Sequence, residues 1–239
     1  MPGLSDLNKS SLLYWWPRIN WLPISQPKTI IVPVDVHALS EFWDQGIEDP
    51  LKPFIPQLEA AGSEIGYPLF LRTDILSAKH DYENTCYVAS EEVLLHHVYA
   101  LAEMNFMILG PGPSALVFRE YIPLASRFTA FSGNLPIAPE RRYFVRDGTG
   151  QCSHPYWPLS AIEDASVPNW RELLAEMNQR RASHTGLLGF YARKAGKALG
   201  GYWSVDFALS KDGRWLLIDC AEGEKSYHWE GCEYASTER

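Results

Sequence analysis

The most informative stretch of this chain is Gly200-Gly-Tyr-Trp-Ser-Val-Asp206-Phe-Ala-Leu-Ser-Lys-Asp-Gly-Arg-Trp-Leu-Leu-Ile-Asp219-Cys-Ala-Glu222-Gly. Two apolar runs flank a Lys-Asp-Gly turn, and this pattern predicts a β-hairpin. In a hairpin of this length we expect Asp206 and Asp219 to lie side by side and Glu222 to enter from the following loop. Three acids at one point suit Mg²⁺, because this ion takes carboxylate oxygens together with phosphate oxygens and water.

Acids in a hairpin also have an ordinary interpretation, in which they are solvated or form the turn. We expect that for Asp212 in the Lys-Asp-Gly turn. Asp206 and Asp219 differ, because they interrupt apolar strands, where a carboxylate with no partner is costly. The metal interpretation is therefore favoured for these two.

Composition places the chain among globular proteins. It has 239 residues, of which 46% are hydrophobic and 21% charged. This length fits one large domain or two small lobes. We favour two lobes, residues 1–110 with an irregular Trp/Pro-rich arm and residues 111–239, separated near Gly110-Pro-Gly-Pro.

Several classes of protein are disfavoured by simple features. The net charge of -8 disfavours a nucleic-acid partner. No apolar run approaches the roughly 18 residues that a membrane span needs. The first residues lack a secretory signal pattern, so we expect a cytoplasmic protein. Cysteines at 86, 152, 220 and 232 show no CxxC spacing, which argues against a zinc knuckle and gives no reason to expect disulfides.

Helices and strands alternate irregularly along the chain, which predicts an α+β fold. Short β-branched or alternating runs predict strands, and apolar residues at helical spacing predict helices. The predicted strands are 28–35, 67–74, 115–123, 127–131, 140–145 and the hairpin, and the predicted helices are 50–64, 91–105, 168–181 and 187–199.

Candidate phosphate ligands stand near the ends of predicted strands. Arg72 ends a strand and Lys79 lies in the next loop, so each is a phosphate ligand or an ordinary surface charge. Arg142 shares a strand face with Glu140. That pair is either a salt bridge or a phosphate-binding arginine with its orienting acid.

The segment Arg119-Glu120-Tyr121-Ile122 suggests an adenine hinge. Backbone groups of Tyr121 and Ile122 would face the base edge, and Glu120 would reach an amine or hydroxyl. No Walker-type phosphate loop, GxSxG or HExxH motif occurs.

The order of these parts resembles the ATP-grasp superfamily, in particular its small, often phage-encoded Arg-and-two-Lys clade. The Glu140-x-Arg142-x-Phe-Val element is also distantly similar to the ATP-grasp initiation-factor assembly chaperones. The resemblance covers about residues 67–225. It implies two α+β lobes with Mg-ATP between them.

The resemblance also implies roles for individual residues. Arg72 and Lys79 would contact phosphates, and Glu120 to Ile122 would bind adenosine. Arg142 would face the transferring phosphate, and Asp206 and Asp219 would hold magnesium. Many members carry an acid-x-Asn motif where this chain has Asp219-Cys-Ala. Either Glu222 substitutes for that Asn, or only one metal binds, or activity is reduced.

Three functions are consistent with this resemblance. The first is an ATP-dependent carboxylate-amine ligase that acts through an acyl-phosphate. Its substrate is unidentified, and a peptide or a protein is one candidate. The second is an ATP-binding assembly or interaction module with little turnover, for which we expect an exposed aromatic surface on residues 14–21. The third is a phosphotransferase on the same fold.

Overall fold

The computed structural model describes residues 8–35, 51–109, 113–179 and 182–235. In chain order the elements are α1 (Leu12–Ile19), β1 (Thr29–Pro33), α2 (Ile55–Ile65), β2 (Leu69–Thr73), β3 (Tyr87–Val88), α3 (Leu94–Leu109), β4 (Ala115–Glu120), β5 (Phe128–Ala130), β6 (Leu135–Ile137), β7 (Glu140–Arg146), β8 (Thr149–Pro155), α4 (Trp170–Asn178), α5 (Ala182–Leu199), β9 (Tyr202–Leu209) and β10 (Trp215–Glu222). Antiparallel sheets and interleaved helices confirm the predicted α+β class.

The chain forms two compact units that we name by their main segments. The N-terminal unit contains residues 27–122 and 131–135, and the C-terminal unit contains the remainder. The predicted boundary at residues 110 and 111 lies outside the described residues, and the division into lobes 1–110 and 111–239 stays a prediction. The compact units divide the chain differently, because β4 pairs with β1 and β2 in the N-terminal unit.

The N-terminal unit has a four-stranded sheet in the order β1-β4-β2-β3. Helices α2 and α3 bury their apolar sides against it, which removes apolar surface from water. Leu58 of α2, Leu69 of β2 and Leu101 of α3 are all fully buried in this core. This packing fixes β2 and β4, the two strands that carry Arg72 and Arg119.

The Trp-rich arm is helical, so the prediction of an irregular arm is wrong for residues 12–19. The Ser11 side chain caps α1 by accepting a hydrogen bond of 3.1 Å from the Leu13 N–H. Leu12, Trp15 and Ile19 form the buried side of the helix. The Pro at position 17 obscured this pattern in the sequence, because proline is unfavourable inside a helix.

The C-terminal unit has a second four-stranded sheet, in the order β10-β9-β7-β8. Helix α5 covers one face of it at close range. A Cβ on Gly196 of α5 would lie 2.4 Å from Val145 Cγ2 on β7, so only glycine fits there. The predicted hairpin, formed by β9 and β10, follows α5 through Gly200 and Gly201, which are both at positive φ. The other face of the sheet carries polar side chains.

No helix among residues 8–35, 51–109, 113–179 and 182–235 has the length and apolarity that crossing a membrane requires.

We predict opposite effects for two Gly→Ala substitutions in α5. Gly196→Ala introduces a clash with Val145, so the free energy of unfolding falls by about 1 to 3 kcal/mol. Gly186→Ala meets no atom within 4 Å, so the greater helix propensity of alanine raises stability by up to about 1 kcal/mol. Urea unfolding of both variants measures this, and equal effects at the two positions would show that α5 does not approach β7 as described.

Candidate functional site

The polar face of the C-terminal sheet is organised by a β-bulge in β10. The pairing register shifts between Leu217 and Asp219, so Ile218 is an extra residue in that strand. Asp219 consequently pairs with Asp206 and shares its face. With an unshifted register Asp219 would lie opposite Val205, on the face that the helix covers. The predicted side-by-side arrangement of these two acids is therefore observed.

Arg142 on β7 lies directly opposite Asp206 on β9 and forms a bidentate ion pair with it. Its Nε donates to Asp206 Oδ1 at 2.8 Å and its Nη2 donates to Oδ2 at 2.7 Å. The side chains are only 17% and 5% exposed. Burial lowers the pKa of the Arg142 guanidinium, but the Asp206 carboxylate together with Tyr156 and Asp219 acts in the opposite direction, and the net pKa is raised. Arg142 is thus a permanently charged group.

Asp219 adds negative charge beside this pair. It is half-buried, and its carboxylate contributes to the raised pKa of Arg142. Its Oδ1 accepts a hydrogen bond of 3.1 Å from the Cys220 N–H. Each carboxylate oxygen has two acceptor positions, so Asp206 keeps capacity for a metal beyond its bonds to Arg142.

Glu140 is buried near the start of the same strand. Its Oε1 accepts a 3.0 Å hydrogen bond from the Trp157 indole N–H. Glu140 and Arg142 share the polar face, as their spacing predicts. The fork of Arg142 engages Asp206, so Asp206 is the acid that orients the arginine.

Glu222 is not brought to Asp206 and Asp219. The register places it opposite Trp203, whereas Ala221 lies opposite Ser204 on the polar face. The Glu222 carboxylate pairs with Lys225. The expectation that Glu222 replaces a missing ligand therefore has no support in this geometry. The alternation of side chains along a strand explains the position of Glu222. The second residue after Asp219, Ala221, lies on the same face as Asp219, and the third, Glu222, lies on the opposite face.

The N-terminal unit holds the predicted phosphate cations. Arg72 is buried on β2, and its Nε donates to the Thr73 carbonyl at 3.1 Å. Lys79 begins a 3-10 turn, Lys79–Asp81. Burial raises the pKa of the Cys86 thiol to about 12, although Lys79 and Arg72 both act to lower it. The two cations therefore lie in one neighbourhood around Cys86.

The predicted adenine hinge follows β4 in the same unit. Arg119 is buried on β4 opposite Phe70, and Glu120 at its end accepts a 3.3 Å hydrogen bond from the Lys28 N–H. Tyr121 and Ile122 leave the strand as half-buried residues. The Tyr121 ring meets Tyr87 edge to face at 5.0 Å, so an aromatic wall adjoins the segment.

The sequence-based search missed a group of potential metal ligands in the C-terminal unit. Cys152, His154, His228 and Cys232 each offer a ligand atom, and these atoms lie within 4.8 Å of one another. The sequence signals were the Cys-x-His and His-x₃-Cys spacings. They do not follow a CxxC pattern and are separated by more than 70 residues, so the sequence alone does not indicate a shared site.

An open groove of about 430 Å³ also lies in the C-terminal unit, and it contains none of the predicted site residues. Two arginines line it, and both are engaged. Arg127 pairs with Glu176 at 3.3 Å, and Arg141 donates to the carbonyls of Met177 and Gln179 at 2.8 Å. The groove therefore does not supply an uncommitted cation.

Comparison with known protein families matches residues 60–235 to the ATP-grasp domain of the Arg-and-two-Lys clade, family 3. No curated protein matches the chain significantly.

Solved structures with the same fold include three informative examples. They are D-alanine–D-alanine ligase from Bacillus anthracis with ATP (13% identity, TM-score 0.50, 90% of this chain and 55% of that chain), C-terminally truncated Cdc123 from Schizosaccharomyces pombe (19%, 0.55, 90% and 86%) and N5-carboxyaminoimidazole synthase from Aspergillus clavatus with ADP and 5-aminoimidazole ribonucleotide (13%, 0.51, 89% and 43%). The chain thus spans about half the length of the two enzymes. At these identities the likeness establishes the fold alone.

We predict that Asp206 stabilises the fold through Arg142. Asp206→Asn leaves a buried guanidinium without its anion, so the free energy of unfolding falls by about 3 kcal/mol. Arg142→Met combined with Asp206→Leu removes both charges and recovers most of that loss. Urea unfolding of the three proteins measures both effects.

The matched control is the exposed pair of Asp212 and Arg214, whose charged atoms are 2.7 Å apart. Asp212→Asn changes stability little, because solvent screens an exposed pair. An Asp206→Asn variant as stable as this control would contradict the role given to the buried pair.

Proposed function

The chain belongs to the ATP-grasp domain family of the Arg-and-two-Lys clade, family 3, and we propose that it is an ATP-dependent ligase joining a carboxylate to an amine. The observation that carries this proposal is the arrangement of Arg142, Asp206 and Asp219 on one face of a sheet. Two carboxylates and a fixed cation at adjacent positions are what a magnesium-bound phosphate requires.

The donor set fits Mg²⁺. This ion usually takes one or two protein carboxylates, with substrate phosphates and water completing its shell. Asp219 and Asp206 would hold it, and bound Mg²⁺ would neutralise charge on the phosphates of ATP. Asp206 has a second task, because it orients the Arg142 guanidinium through two hydrogen bonds.

The N-terminal unit carries the predicted phosphate and adenosine ligands. Arg72 and Lys79 would bind phosphate oxygens, Arg72 through its planar fork and Lys79 as a point charge. Glu120, Tyr121 and Ile122 would bind adenosine. Their position at the end of β4, beside Tyr87, places backbone groups next to an aromatic wall that suits a base.

The proposed reaction has two balanced steps. A carboxylate oxygen of the first substrate attacks the γ-phosphorus, the bond from that phosphorus to the bridging oxygen breaks, and ADP leaves. The amine nitrogen of the second substrate then attacks the acyl carbon, phosphate leaves, and the nitrogen loses a proton. Arg142 would stabilise charge on the transferring phosphate in the first step.

Two observations favour a second candidate, an ATP-binding assembly or interaction module with little turnover. Ala221 occupies the polar-face position two residues after Asp219, where it offers no ligand. Trp21, at the end of the helical arm, is 70% exposed, whereas Trp15 is fully buried. A single aromatic side chain is a smaller surface than this candidate requires, so we place the ligase first.

We predict that Asp219→Asn lowers ADP formation at least about a hundredfold, because a charged group aimed at the phosphates is lost. Formation of ADP is measured with mixtures of carboxylates and amines, including peptides. Glu222→Gln is the matched control and retains turnover, since Glu222 pairs with Lys225 on another side of the strand.

Two outcomes would count against the ligase. Tight ATP binding with no ADP from any co-substrate would favour the interaction module. A phosphorylated product without an amide would identify a phosphotransferase instead.

We also predict that Ala221→Asn strengthens the binding of Mg²⁺. An Asn at this position adds an amide oxygen on the face that carries Asp206 and Asp219, so the concentration of Mg²⁺ needed for half-maximal nucleotide binding falls about tenfold. Calorimetric titration with Mg²⁺ and ADP measures this. The side chain of Cys220 lies on the buried face of the sheet. An equal increase in Mg²⁺ affinity from Cys220→Asn would therefore contradict the placement of Ala221 on the polar face.

A further inference from the structure

Cys152 and His154 on β8, together with His228 and Cys232 near the C-terminal end, form a four-ligand cluster. Their ligand atoms lie within 4.8 Å of one another. We propose that this cluster is a structural zinc site, which stands independently of the ligase proposal. Two thiolates and two imidazoles in one place are typical of tetrahedral Zn²⁺ sites.

The spacing of the ligand atoms is compatible with zinc. Cys152 Sγ lies 3.5 Å from His228 Nδ1. Zinc bonds of about 2.3 Å to sulfur and about 2.0 Å to nitrogen, meeting at a tetrahedral angle, place such atoms roughly 3.5 Å apart. No two of the four ligand atoms are more than 4.8 Å apart, which is at most about 1 Å beyond a tetrahedral sulfur–sulfur distance of roughly 3.8 Å, and side-chain rotation can close such a gap.

The surroundings of His228 match those of a metal ligand. Its Nε2 lies 3.0 Å from the Tyr202 hydroxyl, while Nδ1 faces Cys152. A metal-bound histidine usually donates its second ring N–H to such a partner, which fixes the tautomer and the ring orientation. The ring also stacks on Phe144 at a centroid distance of 3.5 Å, so its position is defined by packing as well.

A second β-bulge directs the strand ligands to this point. The register of β7 and β8 shifts between Phe144 and Val145, so Gln151 is an extra residue in β8. Cys152 therefore pairs with Phe144, and His154 pairs with Arg142, on the polar face. Without the shift, both side chains would leave that face.

The remaining ligands come from a segment with little regular structure. After the 3-10 turn Gly223–Lys225, the described chain up to residue 235 contains no helix or strand. Ser226 Oγ bonds to Ser204 Oγ at 2.7 Å, and His228 and Cys232 follow. A zinc ion would join this segment to the edge strand β8. Because all four positions would be filled by side chains, the site would be structural rather than catalytic.

Zinc content of the full-length protein tests this proposal. Protein purified from zinc-supplemented medium under reducing conditions is expected to contain one zinc ion per chain by mass spectrometry of metals. Cobalt substituted for zinc is expected to give the thiolate-to-metal charge-transfer band and the intense visible bands of a tetrahedral site. The cobalt spectrum uses the unaltered chain and so answers the question even if a variant fails to fold.

Variants identify the ligands. Cys152→Ser is expected to weaken zinc binding at least a hundredfold, since even the loss of a group that only hydrogen-bonds to a ligand costs about tenfold to a hundredfold. Tyr202→Phe, which removes the hydroxyl bonded to His228 Nε2, is expected to weaken it about tenfold. Cys86→Ser is the matched control and retains zinc, because Cys86 lies in the N-terminal unit and donates to the Ser77 carbonyl, as a serine can.

Three results would each overturn the proposal. They are zinc far below one ion per chain with no cobalt spectrum, unchanged zinc in Cys152→Ser, and a Cys152–Cys232 disulfide in the protein prepared with zinc. Iron in place of zinc at the same ligands would overturn the choice of metal.

Discussion

The buried ion pair of Arg142 and Asp206 is the constraint on which the C-terminal sheet depends. A carboxylate on a central strand needs a cation, and Arg142 supplies one from the adjacent strand in bidentate geometry. Slipping β7 against β9 by one residue would move every side chain to the opposite face and bury both charges without partners. The pair therefore specifies the register, and the register places each of the other polar groups.

Two β-bulges bring further polar side chains to the face that carries this ion pair. The extra residue Ile218 turns Asp219 toward Asp206, and the extra residue Gln151 turns Cys152 and His154 onto the face that carries Arg142. Bulges occur often beside functional sites because they re-aim single side chains without disturbing the rest of a sheet. Helix α5 covers the opposite face through Gly196, so the polar face is the one left for ligands.

The sequence alone predicted the hairpin but not which side chains share its polar face. The Lys-Asp-Gly turn and the apolar runs around it predicted the hairpin and brought Asp206 and Asp219 close together, but their direct pairing depends on the bulge at Ile218, which leaves no mark in a single sequence. Glu222 was placed wrongly because the sequence analysis assigned it to the loop after the hairpin, whereas β10 extends through Glu222 and strand alternation turns its side chain away from the face of Asp219. The zinc ligands come from segments 76 residues apart, and only the folded sheet brings Cys152 to His228.

The central claim is that Asp206 and Asp219 form a magnesium site served by Arg142. A crystal structure of the protein with Mg²⁺ and a non-hydrolysable ATP analogue tests it most directly. We expect a metal ion bound by Asp219 and Asp206, with Ala221 facing it and Glu222 still paired with Lys225. A nucleotide bound without contact to these acids, or a metal ion held by Glu222 instead, would contradict it.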